Sequence, residues 1–294
     1  IMKTYDNYNY EEAYSKQLHV LEEWEIEQEV KRLLSQDKVS CIYRTTTNKA
    51  RNIKSGKELL EVQIYPSFKH REDVPNTRLK KETKASQRNL NDKNAKRYLI
   101  RLANINFGYG DIWATFGWNN DNLPEDRIRA KKDITNFINR IKRRRKKLGR
   151  EETKYIYVLA FDGYARPHFH LLINGDGMDR DELEDLWKKG ERKNTRRIRP
   201  DDKFLLTGLA TYISQNPHGT KRWVSSKNLV HPKPPSRSYS KFRSKRKIAE
   251  MAINYHVLEE QMEKAYPGYR FLDRELYSND KNGTFYLYVR MIRD

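Results

Sequence analysis

The clearest pattern in the chain is an alternation of apolar and polar positions in GDIWATFGW (110–118), which is typical of a half-buried strand. Two more strands are predicted at Tyr155–Phe161 and His168–Asn174, and the short link DGYARP between them indicates a hairpin. Between the first and second strands, apolar residues recur at helical spacing, which predicts a long helix over Glu125–Leu148. Helices mixed with hairpin strands favour an α+β fold with a largely antiparallel sheet.

Weaker patterns extend this organisation to both sides. Further helices are predicted at about residues 10–34, 87–102, 179–189, 202–215 and 248–265, and further strands at 39–45 and 60–65. The stretch KKGERKNTRRIRP (188–200) is predicted as a basic loop, and HPKPPSRSYSKFRSKRK (231–247) as a linker. We therefore divide the chain into an N-terminal helical and β extension (1–86), a central domain (87–232), and a basic linker with a C-terminal helix and hairpin (233–294).

Charge narrows the kind of partner. The 294 residues include 60 Lys and Arg against 40 Asp and Glu, and the resulting formal charge of +20 predicts a polyanionic partner. No apolar run approaches the roughly 18 residues of a spanning helix, and no secretory h-region is present, so nucleic acid is favoured over a membrane. The single cysteine, Cys41, excludes an intrachain disulfide and fits a reducing cytoplasm. Within VSCIY it is predicted to be a buried small apolar residue.

Two histidines in RPHFHLLIN (166–174) are candidate metal ligands. Side chains alternate along a strand, so His168 and His170 share one face with Leu172, whereas Phe169 faces the core. The two imidazoles then stand about 6.5–7 Å apart, close enough to bind one ion. With a carboxylate, for which Asp162 is the candidate, such a site suits Mn²⁺ or Mg²⁺. The alternative interpretation is a pair of half-exposed strand histidines without a ligand.

A tyrosine in GLATYISQNP (208–217) is the second candidate for chemistry. Nearly two helical turns separate Leu205 from Tyr212, which places both on one face with Gly208 and Leu209 and predicts that this face packs on the sheet. One interpretation is an ordinary core aromatic residue. The other is a nucleophile directed at a metal, because a phenol with a pKa of about 10 needs a nearby cation to ionise at neutral pH.

Together these pieces resemble the HUH endonuclease superfamily, in which a metal-binding HxH strand is followed by a helical tyrosine. The chain is most similar to rolling-circle replication initiators of the phage gene II protein-like branch, which share its motif order. The stretches that carry the resemblance are GKELLEVQIYP, NLNDKNAKRYLIRLANINFGYGD, DIWATFGW, YIYVLAFDGYARPHFHLLING, LWKKG, LATYISQNPHGTKRWVSSKNLVHPK and NGTFYLYVRM.

The resemblance implies a ferredoxin- or RRM-like domain with a five-stranded antiparallel sheet flanked by helices, spanning residues 87–232. It also implies that His168 and His170 bind the metal and that Tyr212 is the nucleophile. Gly208, one turn before Tyr212, places the chain in the single-tyrosine class.

Two positions depart from the family pattern. The family usually carries a glutamate before the HxH, where this chain has Ala160, with Asp162 as the nearest carboxylate. The family also usually has a lysine three residues after the tyrosine, where this chain has Gln215. Lys221 or Arg222 is a candidate substitute for that lysine.

The expected activity is metal-dependent nicking and rejoining of single-stranded DNA through a 5′-phosphotyrosine, leaving a 3′-OH primer. Its substrate is expected to be single-stranded or hairpin origin DNA, with a host helicase and polymerase as partners in a bacterial cytoplasm. The alternatives are a relaxase or transposase of the same chemistry, a hydrolytic HxH phosphodiesterase, and a binding-only nucleic-acid protein.

Basic segments at 140–147, 188–199 and 241–247 are predicted to bind the phosphate backbone. Trp223 and Trp187 are candidates for base stacking, with packing as the alternative role of both. The individual residues predicted to contact DNA are Lys142, Arg144, Arg166, Arg196, Arg197, Lys221, Arg222 and Trp223.

Overall fold

The computed structural model describes residues 19–36, 42–67, 84–161, 166–191, 193–214, 223–279 and 284–294. Their contacts group them into two compact units, one formed by residues 50–56 and 95–232 and the other by the remaining residues. The predicted division at residues 86 and 232 stays a prediction. Cys41, Asp162, Gln215, Lys221 and Arg222 lie outside the described residues.

The described strands and helices follow in chain order. The strands are β1 (His19–Val20), β2 (Ile42–Arg51), β3 (Glu58–Ser67), β4 (Ile112–Gly117), β5 (Tyr155–Ala160), β6 (His168–Ile173), β7 (Lys193–Arg197), β8 (Val224–Ser225), β9 (Ser236–Ser238), β10 (Arg270–Asn279) and β11 (Thr284–Arg293). The helices are α1 (Ile26–Gln36), α2 (Lys84–Asn106), α3 (Arg127–Lys147), α4 (Arg180–Asp185), α5 (Thr207–Ile213), α6 (Lys245–Ile253) and α7 (Tyr255–Ala265), with a 3₁₀ turn at Asn120–Asn122.

The sheet of the unit containing residues 95–232 has the described strands in the order β7-β4-β6-β5-β8. All four pairings are antiparallel, and the first four strands have the order of a split βαβ, or ferredoxin-like, motif. The predicted α+β fold with a five-stranded antiparallel sheet is therefore confirmed.

Each face of this sheet has its own core. The long helix α3 connects β4 to β5 and buries Ile134, Phe137 and Ile141 against a face that carries Phe169. The opposite face packs against α5 and the end of α2, with the buried residues Leu99, Leu102, Leu172, Leu206, Ala210 and Ile213. Since residues of β6 alternate between the two cores, the predicted burial of the Phe169 side is confirmed.

The start of β4 is fixed by a buried carboxylate. Asp111 is fully buried and accepts hydrogen bonds from the backbone N–H groups of Gly108 and Gly175, each at 2.9 Å. Lys54 Nζ lies 2.6 Å from the same carboxylate. Burial lowers the pKa of Lys54, but its hydrogen bond and attraction to Asp111 outweigh this effect and raise the pKa overall. The site strand β4 is thus anchored at its first turn.

The other unit is built on a sheet with the described strands in the order β1-β10-β11-β3-β2-β9. Helices α1, α6 and α7 contribute to its core, which includes Val30, Leu33, Ile248, Met251 and Leu258. Strands from both ends of the chain pair here, as β3 with β11 shows.

Three predicted elements differ from the structure. The stretch 188–200 was expected to be a loop but contains the edge strand β7, in which only Thr195 is buried among its residues. The predicted helix 248–265 is two helices, because the Asn254 side chain accepts from the N–H groups of His256 and Val257 and begins α7. None of the described helices is both long and apolar enough to cross a membrane.

The third difference concerns the helix that carries the tyrosine. It begins at Thr207 instead of 202, because the Asp201 side chain accepts from Lys203 N at 2.9 Å and Phe204 N at 2.7 Å. Leu205 then adopts a positive φ of 51° and pairs with Asp201, which closes the turn before α5 starts.

Candidate active site

The two candidate metal ligands lie side by side on β6, on the face that packs against α5. Their ring centroids are 5.1 Å apart and the rings are nearly perpendicular, at 84°. His168 is half-buried and His170 is 8% exposed. The predicted sharing of one face by the two histidines is what the strand register gives, since His168 pairs with Gly117 and Ala160, and His170 with Thr115 and Val158.

Hydrogen bonds orient both imidazoles through Nδ1. His168 Nδ1 donates to the carbonyl oxygen of Arg166 at 2.9 Å, which leaves its Nε2 with a free lone pair. His170 Nδ1 lies 2.9 Å from Thr115 Oγ1 on the neighbouring strand. Burial, and the nearby His168, lower the pKa of His170 to about 4. The ring is therefore neutral at pH 7, which is the form that binds metals.

These donors fit two positions of a divalent ion. Partners on Nδ1 fix the tautomer and turn Nε2 outward, the usual arrangement of metal-binding histidines. Within the described parts of the chain, no group of three His, Cys, Asp or Glu residues is placed to hold an ion. Ala160 lies directly across from His168 and offers no oxygen ligand. A third protein ligand therefore has to come from outside the described residues, where Asp162 lies.

Tyr212 lies on α5, directly beside this pair. Its ring centroid is 5.4 Å from that of His170, and its side chain is 53% exposed. The prediction that Leu205, Gly208, Leu209 and Tyr212 form the packed face was wrong. The buried residues of this segment are instead Leu206, Ala210 and Ile213, which leaves Tyr212 on the accessible side of the helix.

Trp113 extends the cluster onto β4. Its ring lies 6.3 Å from the Tyr212 ring at 80°, an edge-to-face contact that holds the phenol over the sheet. The guanidinium of Arg196, on the adjacent edge strand, lies 5.9 Å from the Trp113 ring centroid. Sequence reasoning missed Trp113 and Thr115 as site residues. The alternation of β4 already places both on one face, but which strand they meet depends on register.

Trp223 belongs to a second aromatic group. It is half-buried and stacks on Tyr98, with centroids 6.2 Å apart and rings inclined by 20°. The Tyr98 hydroxyl lies 2.8 Å from His231 Nδ1. Trp223 also packs against the core under the histidine face. Trp187, in contrast, is buried and donates to the carbonyl oxygen of Gly117 at 2.8 Å, so it has a packing role.

The other predicted DNA contacts lie in different settings. Arg166 donates to Trp118 O and to Asn120 Oδ1 beside the site. Arg197 donates to three carbonyl oxygens, those of Gly110, Gly175 and Met178, and so fixes loops.

Two predicted contacts lie on α3, which covers the opposite face of the sheet. The Lys142 ammonium lies over the Tyr155 ring and Arg144 pairs with Glu182. Their roles in DNA binding stay predictions.

The segment LWKKG fixes the end of β4 next to His168. Asn119 N donates to the carbonyl oxygen of Lys189 at 2.9 Å. A Cβ on Gly190 would meet the carbonyl oxygen of Gly117 at 2.3 Å, so only glycine fits this contact. Gly117 pairs with His168, and the loop therefore positions the metal-ligand strand through backbone contacts.

The strand order and the histidine pair define a ferredoxin-like domain with an HxH strand and an adjacent helical tyrosine. Residues 111–216, which include all of these residues, match the model of the replication-associated protein family that comprises ORF2 and gene II proteins. This match is consistent with a rolling-circle replication initiator, so the resemblance seen in the sequence is confirmed for this segment. No curated protein and no solved structure matches the chain significantly.

Proposed function

We propose that the protein initiates rolling-circle replication by nicking and rejoining single-stranded DNA through a covalent bond to Tyr212. The observation that carries the proposal is the position of an exposed tyrosine 5.4 Å, ring to ring, from a paired strand histidine. The matched family suggests replication initiation and is consistent with this chemistry.

In this mechanism Tyr212 Oη attacks the scissile phosphorus in line. One O–P bond forms to tyrosine while the bond to the 3′ oxygen breaks. The phenolic proton leaves to water and the departing 3′ oxygen takes one up. The products are a 5′-phosphotyrosyl protein and a free 3′-OH that primes synthesis. Because the phosphodiester bond energy is conserved, the reverse attack by a 3′-OH rejoins DNA.

His168 and His170 would hold a divalent ion such as Mn²⁺ or Mg²⁺ through their outward Nε2 atoms. Such an ion, when bound, polarises a phosphate oxygen and offsets the negative charge that develops there. Thr115 and the Arg166 carbonyl keep the two imidazoles in the ligating tautomer. Asp162 is the proposed third ligand.

Arg196 is the proposed replacement for the family lysine at the Gln215 position. Its exposed guanidinium rests on Trp113, which in turn contacts Tyr212, so a phosphate at the tyrosine lies near a fixed positive charge. A planar guanidinium binds two phosphate oxygens at once, which suits it to this role.

The test is covalent capture of DNA. Full-length protein is incubated with Mn²⁺ and a pool of single strands of random sequence, then separated under denaturing conditions. We expect an adduct that is absent in EDTA and in Tyr212→Phe and retained in Tyr109→Phe, which removes another exposed tyrosine. Cleavage without an adduct that persists in Tyr212→Phe would indicate hydrolysis instead. Binding without cleavage would indicate a binding-only protein.

A further inference from the structure

A second basic site lies on the opposite face of the same sheet from the histidines. It is an open groove of about 700 Å³, lined by the end of α3, the start of β5 and the segment around β8. Tyr155, at its wall, is the first residue of β5, whereas Ala160, at the other end, pairs with His168. Five residues of strand separate the two by about 17 Å. The groove is therefore distinct from the candidate active site.

The lining of the groove is predominantly cationic. Lys142, Lys146, Arg150 and Lys227 contribute positive charge, and the carboxylates of Glu151 and Glu152 oppose only part of it. Arg150 is engaged by Glu182 at 2.5 Å, which leaves the lysines as the groups best placed to receive an anion. Lys146 and Lys227 are exposed, so a ligand can reach both from solvent.

A buried cation lies beneath these lysines. Arg145 lines the groove and is 1% exposed, and its Nη atoms donate only to the backbone oxygens of Glu151 and Asn174. Among the residues that the structure describes, its Nε has no hydrogen-bond partner, and neither has the Thr153 hydroxyl, also in the lining. Burial lowers the pKa of Arg145, and the charge of Arg150 lowers it further. A bound anion would offset this cost.

The groove is preformed. Tyr155 N donates to Ser226 Oγ and Ser226 N donates to the Tyr155 carbonyl, each at 3.0 Å, which fixes the rim between β5 and β8. The Lys142 ammonium is held 5.6 Å from the Tyr155 ring centroid. Its volume falls in the range of about 300–1,000 Å³ typical of small-molecule sites.

We propose that this groove binds one nucleotide unit, either free in solution or within a DNA strand. The lysines suit the phosphate. The Glu151 and Glu152 carboxylates would repel a bare phosphate but accept hydrogen bonds from sugar hydroxyls or base amino groups. The nucleotide is thus the ligand class that uses both signs of charge in the lining. This site is independent of the nicking reaction at Tyr212.

The test compares binding to full-length protein carrying Tyr212→Phe, which keeps covalent chemistry out of the measurement. The probes are dAMP, dATP, inorganic phosphate and a short single-stranded oligonucleotide, titrated by calorimetry. The groove variant is Lys146→Gln/Lys227→Gln. Its charge-matched control is Lys131→Gln/Lys132→Gln, earlier on α3 and outside the groove. Circular dichroism checks that both fold.

We expect the Kd for a nucleotide probe to rise about tenfold in the groove variant and less than about twofold in the control. An effect on dAMP or dATP identifies a free nucleotide as the ligand, whereas an effect on the oligonucleotide alone identifies a nucleotide within DNA. Equal Kd values in the groove and control variants for every probe would overturn the proposal, as would the absence of any binding.

Glu151→Gln separates a nucleotide from a bare phosphate. We expect it to weaken nucleotide binding while leaving inorganic phosphate binding unchanged or tighter. If it strengthens the binding of both probes equally, the groove binds phosphate alone and the nucleotide assignment is wrong.

Discussion

The chemistry of His170 is governed by the partner of each ring nitrogen. Thr115 engages Nδ1 from the next strand, and Nε2 is left for a ligand. The periodicity of a strand was enough to predict that His168 and His170 share a face. It was not enough to predict Thr115 or Trp113 as their neighbours, because cross-strand register depends on which strands pair and not on local sequence.

Thr115→Val should weaken metal binding while preserving the shape of the side chain. Loss of the hydroxyl frees the His170 ring to change tautomer, and such second-layer partners are worth about 10- to 100-fold in metal affinity. Calorimetric titration with Mn²⁺ measures the change. Thr135→Val, on the exposed side of α3, is the control and should leave the affinity unchanged. Equal affinities in the two variants would show that the hydrogen bond does not orient the ligand.

Acid should destabilise the metal-free protein through His170. Its folded pKa of about 4 lies below the unfolded value, so between these values the unfolded chain binds more protons and stability falls with falling pH. The loss is complete below the folded pKa and amounts to at most about 3 kcal/mol. Denaturant unfolding in EDTA over a pH series measures it. His170→Asn should flatten the slope and the exposed His256→Asn should keep it; an unchanged slope in His170→Asn would contradict the assignment.

At the scale of elements, the sequence predicted the strands and helices that have strong periodicity. It failed where a side chain or a tertiary contact overrides the local pattern. Asp201 and Asn254 end or begin helices through their own hydrogen bonds. The edge strand β7 was missed because polar residues occupy its exposed positions, which leaves no apolar alternation to detect.

The contact between the LWKKG segment and β4 predicts a difference between two glycines. Gly190→Ala brings a Cβ against backbone atoms of Gly117 and Asn119, and we expect a loss of about 1–3 kcal/mol in the free energy of unfolding. Gly208→Ala is the control: nothing lies within 4 Å of its added Cβ, and alanine favours α5 by about 0.5–1 kcal/mol. Chemical denaturation distinguishes them. Equal stability of the two variants would mean that Gly190 is not confined as the structure indicates.

At the scale of the whole molecule, the charge of +20 predicted a polyanionic partner but not where it binds. The structure separates the cations by role. Arg196 rests on Trp113 beside the candidate nucleophile, whereas Arg197 donates to three backbone carbonyls. Neighbours in sequence alternate in direction along β7, so composition alone could not assign these roles.

Salt dependence of DNA binding should reveal this division. Arg196→Gln removes one phosphate contact, so the slope of log affinity against log salt for a single strand should decrease by about 0.7. Fluorescence anisotropy with a labelled oligonucleotide provides the slope. Lys193→Gln, on the same strand, is the control and should keep the slope. A slope that Arg196→Gln leaves unaltered would place the phosphate elsewhere.

The central claim is that Tyr212 becomes covalently attached to DNA, and mass spectrometry of the captured adduct tests it most directly. Trypsin releases the peptide Phe204–Lys221, in which Tyr212 is the sole tyrosine. After nuclease trimming, we predict that a nucleotide phosphate remains on this peptide and fragments localise it to Tyr212. An adduct localised to any other of the 19 tyrosines, or to no tyrosine, would contradict the claim.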